Sequence, residues 1–114
     1  MQVQYLEIVT DSVEAICAAY SEIHRVTFSA PNPSLGNGRT TSLKDGTILA
    51  VRAPLNETET PTVRPYWLVE DIQLAVDAAV KAGAKIIHSP LEIPGVGTFA
   101  IYVLGSIEHG LLQK

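Results

Sequence analysis

One strand-to-helix unit occurs twice in this 114-residue chain, and the repetition limits the folds that the chain can adopt. In the later copy, an aromatic and β-branched stretch at 64–70 is followed by apolar residues at helical spacing over 72–80. Asp71 is placed to cap that helix and Gly83 to end it. The earlier copy has a similar stretch before an amphipathic pattern at 13–24. Because one such unit cannot cover its own sheet, two copies predict a shared hydrophobic core.

Both copies continue in the same way after their helices. A short β-branched stretch follows, at 26–28 in the earlier copy and at 85–88 in the later one. Each copy then has two strand-like stretches around a turn that contains glycine, at 39–51 and at 99–111. Sliding the chain by about 60 residues superposes the two patterns. The sequence therefore predicts an α+β fold built from two β-α-β-β-β modules.

Length and composition fit a single globular domain. A chain of 114 residues buries roughly two thirds of its unfolded surface, and 46% hydrophobic with 18% charged residues is typical of a folded protein. We predict one domain over 1–114, with module one at 1–53, a polar linker at 54–63 and module two at 64–114.

Charge and hydropathy exclude two classes of partner. The formal charge is −4 and no run of Lys or Arg occurs, so we expect no binding to nucleic acid. No apolar stretch approaches 18 residues, so we expect no membrane insertion. The first residues lack the pattern of a signal peptide, which predicts a cytoplasmic protein. The single cysteine, Cys17, lies on the apolar stripe of the first helix and is expected to be a buried hydrophobic residue.

The first strand of each module alternates between two faces. Leu6 and Ile8 are expected to pack on the helix of module one, and Trp67 on the helix of module two. The residues between them should then point to the opposite face of the sheet. The predicted binding face consists of Tyr5, Glu7, Arg64 and Tyr66.

Four short stretches, together with the paired modules, carry a family resemblance. They are Tyr-Trp-Leu-Val-Glu-Asp-Ile at 66–72, Ala-Gly-Ala-Lys at 82–85, Gly-Thr-Phe-Ala-Ile-Tyr at 97–102 and Gly-Leu-Leu-Gln at 110–113. In these features the chain resembles the vicinal oxygen chelate superfamily, which includes glyoxalase I, bleomycin-resistance and extradiol-dioxygenase proteins. The resemblance implies a curved mixed sheet formed by the two modules around a cavity. It also implies a homodimer, which would protect the open edges of such a sheet.

In the enzymes of this superfamily, the resemblance implies a divalent metal held by His or Gln on the first strands and by Glu on the last strand. The corresponding positions here are Tyr5 or Gln4, Arg64, and Gly110 with Ala50 as its counterpart in module one. Divalent ions prefer carboxylates, amides or neutral imidazoles. A guanidinium within about 4 Å of such an ion would cost several kcal/mol. We therefore expect no metal and no other cofactor.

A displaced metal site stays possible if this chain is aligned to the superfamily pattern with a shift of one or two residues. Such a shift would bring Glu108 or His109 to the metal-binding position on the last strand. A displaced divalent-metal site is the alternative that follows from it.

Arg64 and Tyr66 are the leading candidates for ligand binding. The guanidinium of Arg64 can donate two parallel hydrogen bonds to a carboxylate, which belongs either to Glu7 or to a ligand. A purely structural ion pair is the alternative. Tyr66, with Tyr5 on the neighbouring strand, offers a flat surface for a planar ligand or simply packs in the core.

Three further polar residues complete the candidate site. Glu92 lies between prolines in a predicted loop, where its carboxylate is either held over the cavity or solvated. His109 and Glu108 are the candidate catalytic residues on the last strand, and a structural histidine is the alternative for His109. The other histidines, His24 and His88, show no catalytic pattern.

Three functions fit this sequence. The missing metal ligands favour a metal-independent protein that binds a small, aromatic or anionic organic molecule between the modules. A divalent-metal-dependent lyase or dioxygenase of the same superfamily is the alternative, and a module that only mediates dimerisation is the third. The sequence does not decide whether the protein is an enzyme.

Overall fold

The computed structural model describes residues 1–114, and it has two α-helices and seven β-strands. The elements are β1 (Val3–Val9), α1 (Val13–His24), a 3₁₀ turn (Pro33–Leu35), β2 (Arg39–Ser42), β3 (Ile48–Arg52), β4 (Thr62–Leu68), α2 (Ile72–Lys81), β5 (Lys85–Ile93), β6 (Gly97–Leu104) and β7 (Ile107–Gln113). The strands form one mixed, open sheet in the order β2-β3-β1-β4-β7-β6-β5, with β2 and β5 at its edges. The predicted α+β class is confirmed. Neither helix is long and apolar enough to cross a membrane.

The chain divides into two compact units, and β1 contributes to both. The N-terminal unit is Leu6–Val63, and the C-terminal unit combines Met1–Tyr5 with Arg64–Lys114. The division after Val63 coincides with the start of predicted module two. The predicted linker at 54–63 falls within the N-terminal unit, and the first five residues belong to the C-terminal unit.

In the C-terminal unit, α2 covers one face of the sheet. Asp71 caps the helix as predicted, because its Oδ1 accepts a hydrogen bond of 3.0 Å from the backbone N–H of Leu74. Trp67 packs against the apolar side of the helix, which confirms its predicted orientation. The buried core under α2 consists of Ile72, Val76, Ala100 and Leu111. The opposite face of these strands carries no helix of this unit.

In the same unit, β4 runs parallel to β7, and β7, β6 and β5 form an antiparallel meander. Gly105 and Ser106 connect β6 to β7 with positive φ angles of 63° and 62°. Two residues in this conformation are typical of a tight hairpin turn whose twist matches that of the strands. The turn therefore fixes the register in which β6 faces β7.

In the N-terminal unit, α1 packs on the sheet through one apolar stripe. Leu6 and Ile8 lie in this core, so the predicted faces of β1 are confirmed. The buried members of the core are Ile8, Cys17, Phe28, Leu49 and Val51. Ser12 occupies the cap position of α1, but its side chain makes no capping hydrogen bond.

The strand predicted at 26–28 does not form. Helix α1 ends at Arg25 in the left-handed conformation, with a φ of 58°. Beyond it, the N–H of Ser29 donates to the carbonyl of Thr40 at 2.8 Å, and no ladder with β2 follows. Phe28 still enters the core of the unit. Its burial therefore explains the apolar pattern without a strand.

Candidate ligand-binding site

A row of rings crosses the face of the C-terminal unit that lies opposite α2. Tyr5 on β1 contacts Tyr66 on β4 edge to face, with ring centroids 5.5 Å apart. Tyr66 contacts Phe99 on β6 at 6.2 Å, and Phe99 contacts His88 on β5 at 4.6 Å. Such geometries are favourable for aromatic pairs. We call these four residues the aromatic row; its inner end is buried, and Phe99 and His88 are half-buried.

The row can cross β7 because Gly110 has no side chain. Gly110 pairs with Tyr66 in the parallel register between β7 and β4. A Cβ at this position would overlap the Tyr66 ring, at 2.7 Å from its Cε2 atom. The ring therefore fills the space over the glycine. On the other side of Gly110, the half-buried Ile101 of β6 continues the apolar floor between Tyr66 and His88.

Arg64 lies beside the row, on the same face of β4 as Tyr66. It is only 4% exposed, and its Nη2 donates to Oε1 of Glu108 at 2.6 Å. The side chain of Glu108 is 44% exposed. A buried guanidinium is thus paired with a carboxylate that solvent can reach. Glu108 on the last strand, which was not proposed as a partner of Arg64, forms an ion pair with it.

Glu7 forms an ion pair with Arg52 in the N-terminal unit. Nε of Arg52 donates to Oε2 of Glu7 at 2.8 Å, and its two Nη atoms donate to Glu59 at 2.6 Å and 2.8 Å. Both Glu7 and Arg52 are 7% exposed. The hydrogen bonds that Arg52 donates to Glu59, and then the one that it donates to Glu7, raise the pKa of Arg52 above its ordinary value, although burial alone would lower it. Pairing of Glu7 with Arg64, one of the two alternatives given above for this arginine, stays a prediction.

Arg52 was missed as a member of this network. It is the last residue of β3 and lies on the face opposite Leu49 and Val51. Strand alternation could have placed it beside Glu7 only if the pairing of β3 with β1 had been known. The sequence does not state that pairing. A buried, fully paired arginine of this kind holds the segment that carries Glu59 in place.

His109 lies on the α2 side of β7, away from the aromatic row. Its ring stacks on Tyr102 with centroids 5.0 Å apart, and its Nε2 lies 3.1 Å from the carbonyl oxygen of Leu104. Since a carbonyl only accepts, Nε2 donates this bond. Glu108, the neighbouring residue, points to the opposite face and reaches Arg64. Of the two candidate catalytic residues, only Glu108 lies on the face of the aromatic row.

Glu92 is part of β5 and not of a loop. It pairs with Thr98 across the β5–β6 ladder, and its side chain is exposed. Because Thr98 alternates with Phe99, Glu92 lies on the side opposite the aromatic row. The expected rigid loop over a cavity is corrected to an extended strand that reaches Ile93, with a turn after it.

His88 belongs to the row although the sequence showed no catalytic pattern around it. It pairs with Ile101, and the ladder shifts register on both sides of it. Such bulges redirect a side chain. Pro90, two residues later, was the available signal, because proline inside a strand is confined to edges and bulges.

The donors on these strands do not fit the divalent metal that the superfamily resemblance implies. No group of three or more His, Cys, Asp or Glu side chains lies close enough together to hold a metal ion. Arg64 and Gly110 stand where that resemblance requires ligands, and the Tyr66 ring fills the space beside Gly110. Cys17 offers no replacement, because burial raises the pKa of its thiol and it lies in the α1 core.

A separate open groove of about 470 Å³ lies near the chain ends of the C-terminal unit. None of the predicted site residues lines it. Its lining residues are Met1, Gln2, Leu68, Val69, Glu70, Gln113 and Lys114.

The fold can be compared with solved structures, whereas no family profile and no curated protein matches the sequence. Methylmalonyl-CoA epimerase from Mycobacterium tuberculosis superposes with a TM-score of 0.75 at 11% identity, over 97% of this chain and 86% of that one. A glyoxalase/bleomycin resistance protein/dioxygenase superfamily member from Vibrio splendidus 12B01 superposes with a TM-score of 0.68 at 13% identity, over 96% of this chain and 97% of that one. This is the vicinal oxygen chelate fold.

A third vicinal oxygen chelate structure is similar over the whole chain. It is a Streptomyces coelicolor methylmalonyl-CoA epimerase variant in complex with 2-nitronate-propionyl-CoA, with a TM-score of 0.73 at 12% identity, covering 100% of this chain and 97% of that one. Identities of 11–13% establish the vicinal oxygen chelate fold alone. The function of this chain has to be argued from its own residues.

Proposed function

We propose that the protein binds a small, planar organic anion over the aromatic row of the C-terminal unit, and that it does so without a metal. The observation that carries this proposal is the position of Arg64, which is 4% exposed and lies beside the aromatic row, on the same strand as Tyr66. A buried cation beside aromatic surface is suited to a ligand with one anionic end and one flat apolar body.

The exposed partner of Arg64 supports ligand access. Glu108 can turn into solvent, because its side chain is 44% exposed, and a ligand carboxylate can then take its place on the guanidinium. The body of the ligand would lie over the half-buried part of the floor, on Ile101 and Phe99. Tyr66 closes the inner end of that floor.

The test begins with a thermal-shift screen of small aromatic acids, followed by calorimetric titration of those that bind. Replacing the guanidinium by Arg64→Met should weaken the binding of these acids by about 1.5 to 3 kcal/mol, which is the worth of a hydrogen bond to a charged group. Neutral amides of the same acids should lose much less.

Arg39→Met is the matched control, because Arg39 pairs with Glu14 in the N-terminal unit, outside the proposed site. It removes the same charge and should leave binding unchanged. The proposal is wrong if no aromatic acid binds, or if the Arg64→Met protein binds them as tightly as the parent.

A metal-dependent lyase or dioxygenase with this fold is the alternative, and a module that only dimerises is the third possibility. Elemental analysis of the purified protein separates the first two, since stoichiometric metal would favour the enzyme. If the protein holds no metal and binds none of the acids, the module that only dimerises is the possibility that remains.

A further inference from the structure

We infer that Nε2 of His88 accepts a hydrogen bond from the end of the ligand that lies farthest from Arg64. The ligand class is then a planar acid that carries a hydroxyl or N–H group opposite its carboxylate. This inference rests on the proposed function, and it assigns a role to a histidine that the sequence pattern did not select.

The hydrogen bond of Nδ1, the other ring nitrogen, fixes the tautomer of the neutral His88 ring. Nδ1 lies 2.8 Å from the carbonyl oxygen of Ser89, and a carbonyl can only accept, so Nδ1 carries the proton. In the neutral ring, the lone pair therefore sits on Nε2. Nε2 makes no hydrogen bond in the structure. The ring thus presents an unused acceptor of fixed orientation.

The place of His88 in the sheet puts the ring that carries this acceptor against Phe99. The register of the β5–β6 ladder shifts before and after His88, and its ring packs on Phe99 at a tilt of 33°. The imidazole can take few positions, because it packs against an aromatic ring and because the backbone is irregular on both sides of His88. His88 is half-buried, so a bound ligand can reach it.

The spacing of the strands sets the length of the ligand. Two strands, β7 and β6, lie between β4 and β5, so the backbones that carry Arg64 and His88 are about 14 Å apart. The two side chains project from the same face and shorten the gap. One aromatic ring with polar groups at opposite ends, and a hydrogen bond at each end, is of the right size to join them.

His109 provides the contrast within the same chain. Its ring also stacks on an aromatic residue, Tyr102, but on the α2 side, and its Nε2 is occupied by the carbonyl of Leu104. His109→Phe is therefore a matched control for His88→Phe. Both substitutions keep an aromatic ring and remove one imidazole.

The experiment measures dissociation constants of 4-hydroxybenzoate, 4-methoxybenzoate and benzoate for the parent, His88→Phe and His109→Phe proteins. The parent should bind the hydroxy acid about threefold to tenfold more tightly than the methoxy acid, which has no proton to donate. This ratio should fall to about one in His88→Phe and persist in His109→Phe.

A second readout covers the case in which His88→Phe does not fold. The ¹⁵N resonance of His88 Nε2 in the parent should shift when 4-hydroxybenzoate binds and stay in place with 4-methoxybenzoate. If the acids bind but the hydroxyl gives no preference, or the preference survives His88→Phe, the inference fails while the proposed function stands. If none of the acids binds, both fail.

Discussion

The ring of Tyr66 occupies the space that any side chain at Gly110 would need. The two residues face each other on parallel strands, so the Tyr66 ring restricts position 110 to glycine. The superfamily resemblance implies a metal-binding glutamate at this position of the last strand. Gly110, which stands at this position here, offers no metal donor, and the Tyr66 ring that fills the space beside it is part of the aromatic row.

Gly110→Ala should destabilise the fold, because its Cβ would overlap the Tyr66 ring. Overpacking of this kind costs about 1 to 3 kcal/mol, which urea denaturation can measure. The same substitution should cost much less in a Tyr66→Ala background, where the ring is absent. Costs that simply add in the double variant would show that the two residues are not coupled.

Added zinc, nickel or manganese should leave the melting temperature nearly unchanged. The reason is that Arg64 and Gly110, which cannot bind a metal, stand where the superfamily resemblance implies metal ligands. The test is sensitive, since a ligand at 100 times its dissociation constant stabilises a protein by about 2.7 kcal/mol. Each titration is compared with one in which chelator is present from the start. A rise of several degrees that chelator abolishes would contradict the prediction.

The helices and the faces of the strands could be predicted because they depend on local periodicity. The stripe of apolar residues over α1, the Asp71 cap of α2 and the opposite orientations of Tyr66 and Trp67 are all written in neighbouring residues. The repeat then suggested the order of the elements. These features need no knowledge of which strands pair.

Strand pairing and register could not be predicted from the sequence. Glu7 meets Arg52 and Arg64 meets Glu108 only because of contacts 45 and 44 residues apart in the chain. His88 packs on Phe99 at a point where the β5–β6 register shifts on both sides of it. Such long-range choices leave no periodic trace in one sequence, so the ion pairs and the His88 acceptor could not be derived from it.

Arg52→Met should destabilise the protein by about 3 kcal/mol or more, because it breaks a buried ion pair by removing the arginine that binds Glu7. Arg39→Met is the matched control: it also breaks an arginine–glutamate pair, but the side chain of Glu14 is 80% exposed, so its loss should stay below about 1 kcal/mol. Urea denaturation of both variants measures the difference. Equal, small losses would mean that the Arg52 network contributes little.

We also propose that the protein forms a homodimer through the edge strand β5. This strand has nine residues and exposes Ile87 and Leu91, whereas the other edge, β2, has four residues and no exposed large hydrophobic side chain. Long, apolar edges are protected by pairing in natural proteins.

Light scattering should therefore give about 25 kDa, twice the 12.3 kDa chain mass, for the parent. Leu91→Lys should lower this mass toward that of one chain. Leu74→Lys is the control, because Leu74 is 68% exposed but belongs to α2 and not to the edge strand β5. A mass near 12.3 kDa for the parent across micromolar concentrations would overturn the dimer.

Glu108→Gln should tighten the binding of aromatic acids to the site beside Arg64. Glu108 competes with a ligand carboxylate for the guanidinium, and a neutral amide competes less, because a neutral hydrogen bond is worth about 1 kcal/mol less than a charged one. The expected gain is about fivefold in the dissociation constant. Glu22→Gln, an exposed position on α1, removes the same negative charge and should leave affinity unchanged. Weaker binding in Glu108→Gln would instead show that Glu108 holds Arg64 in its binding position, and that no ligand displaces it.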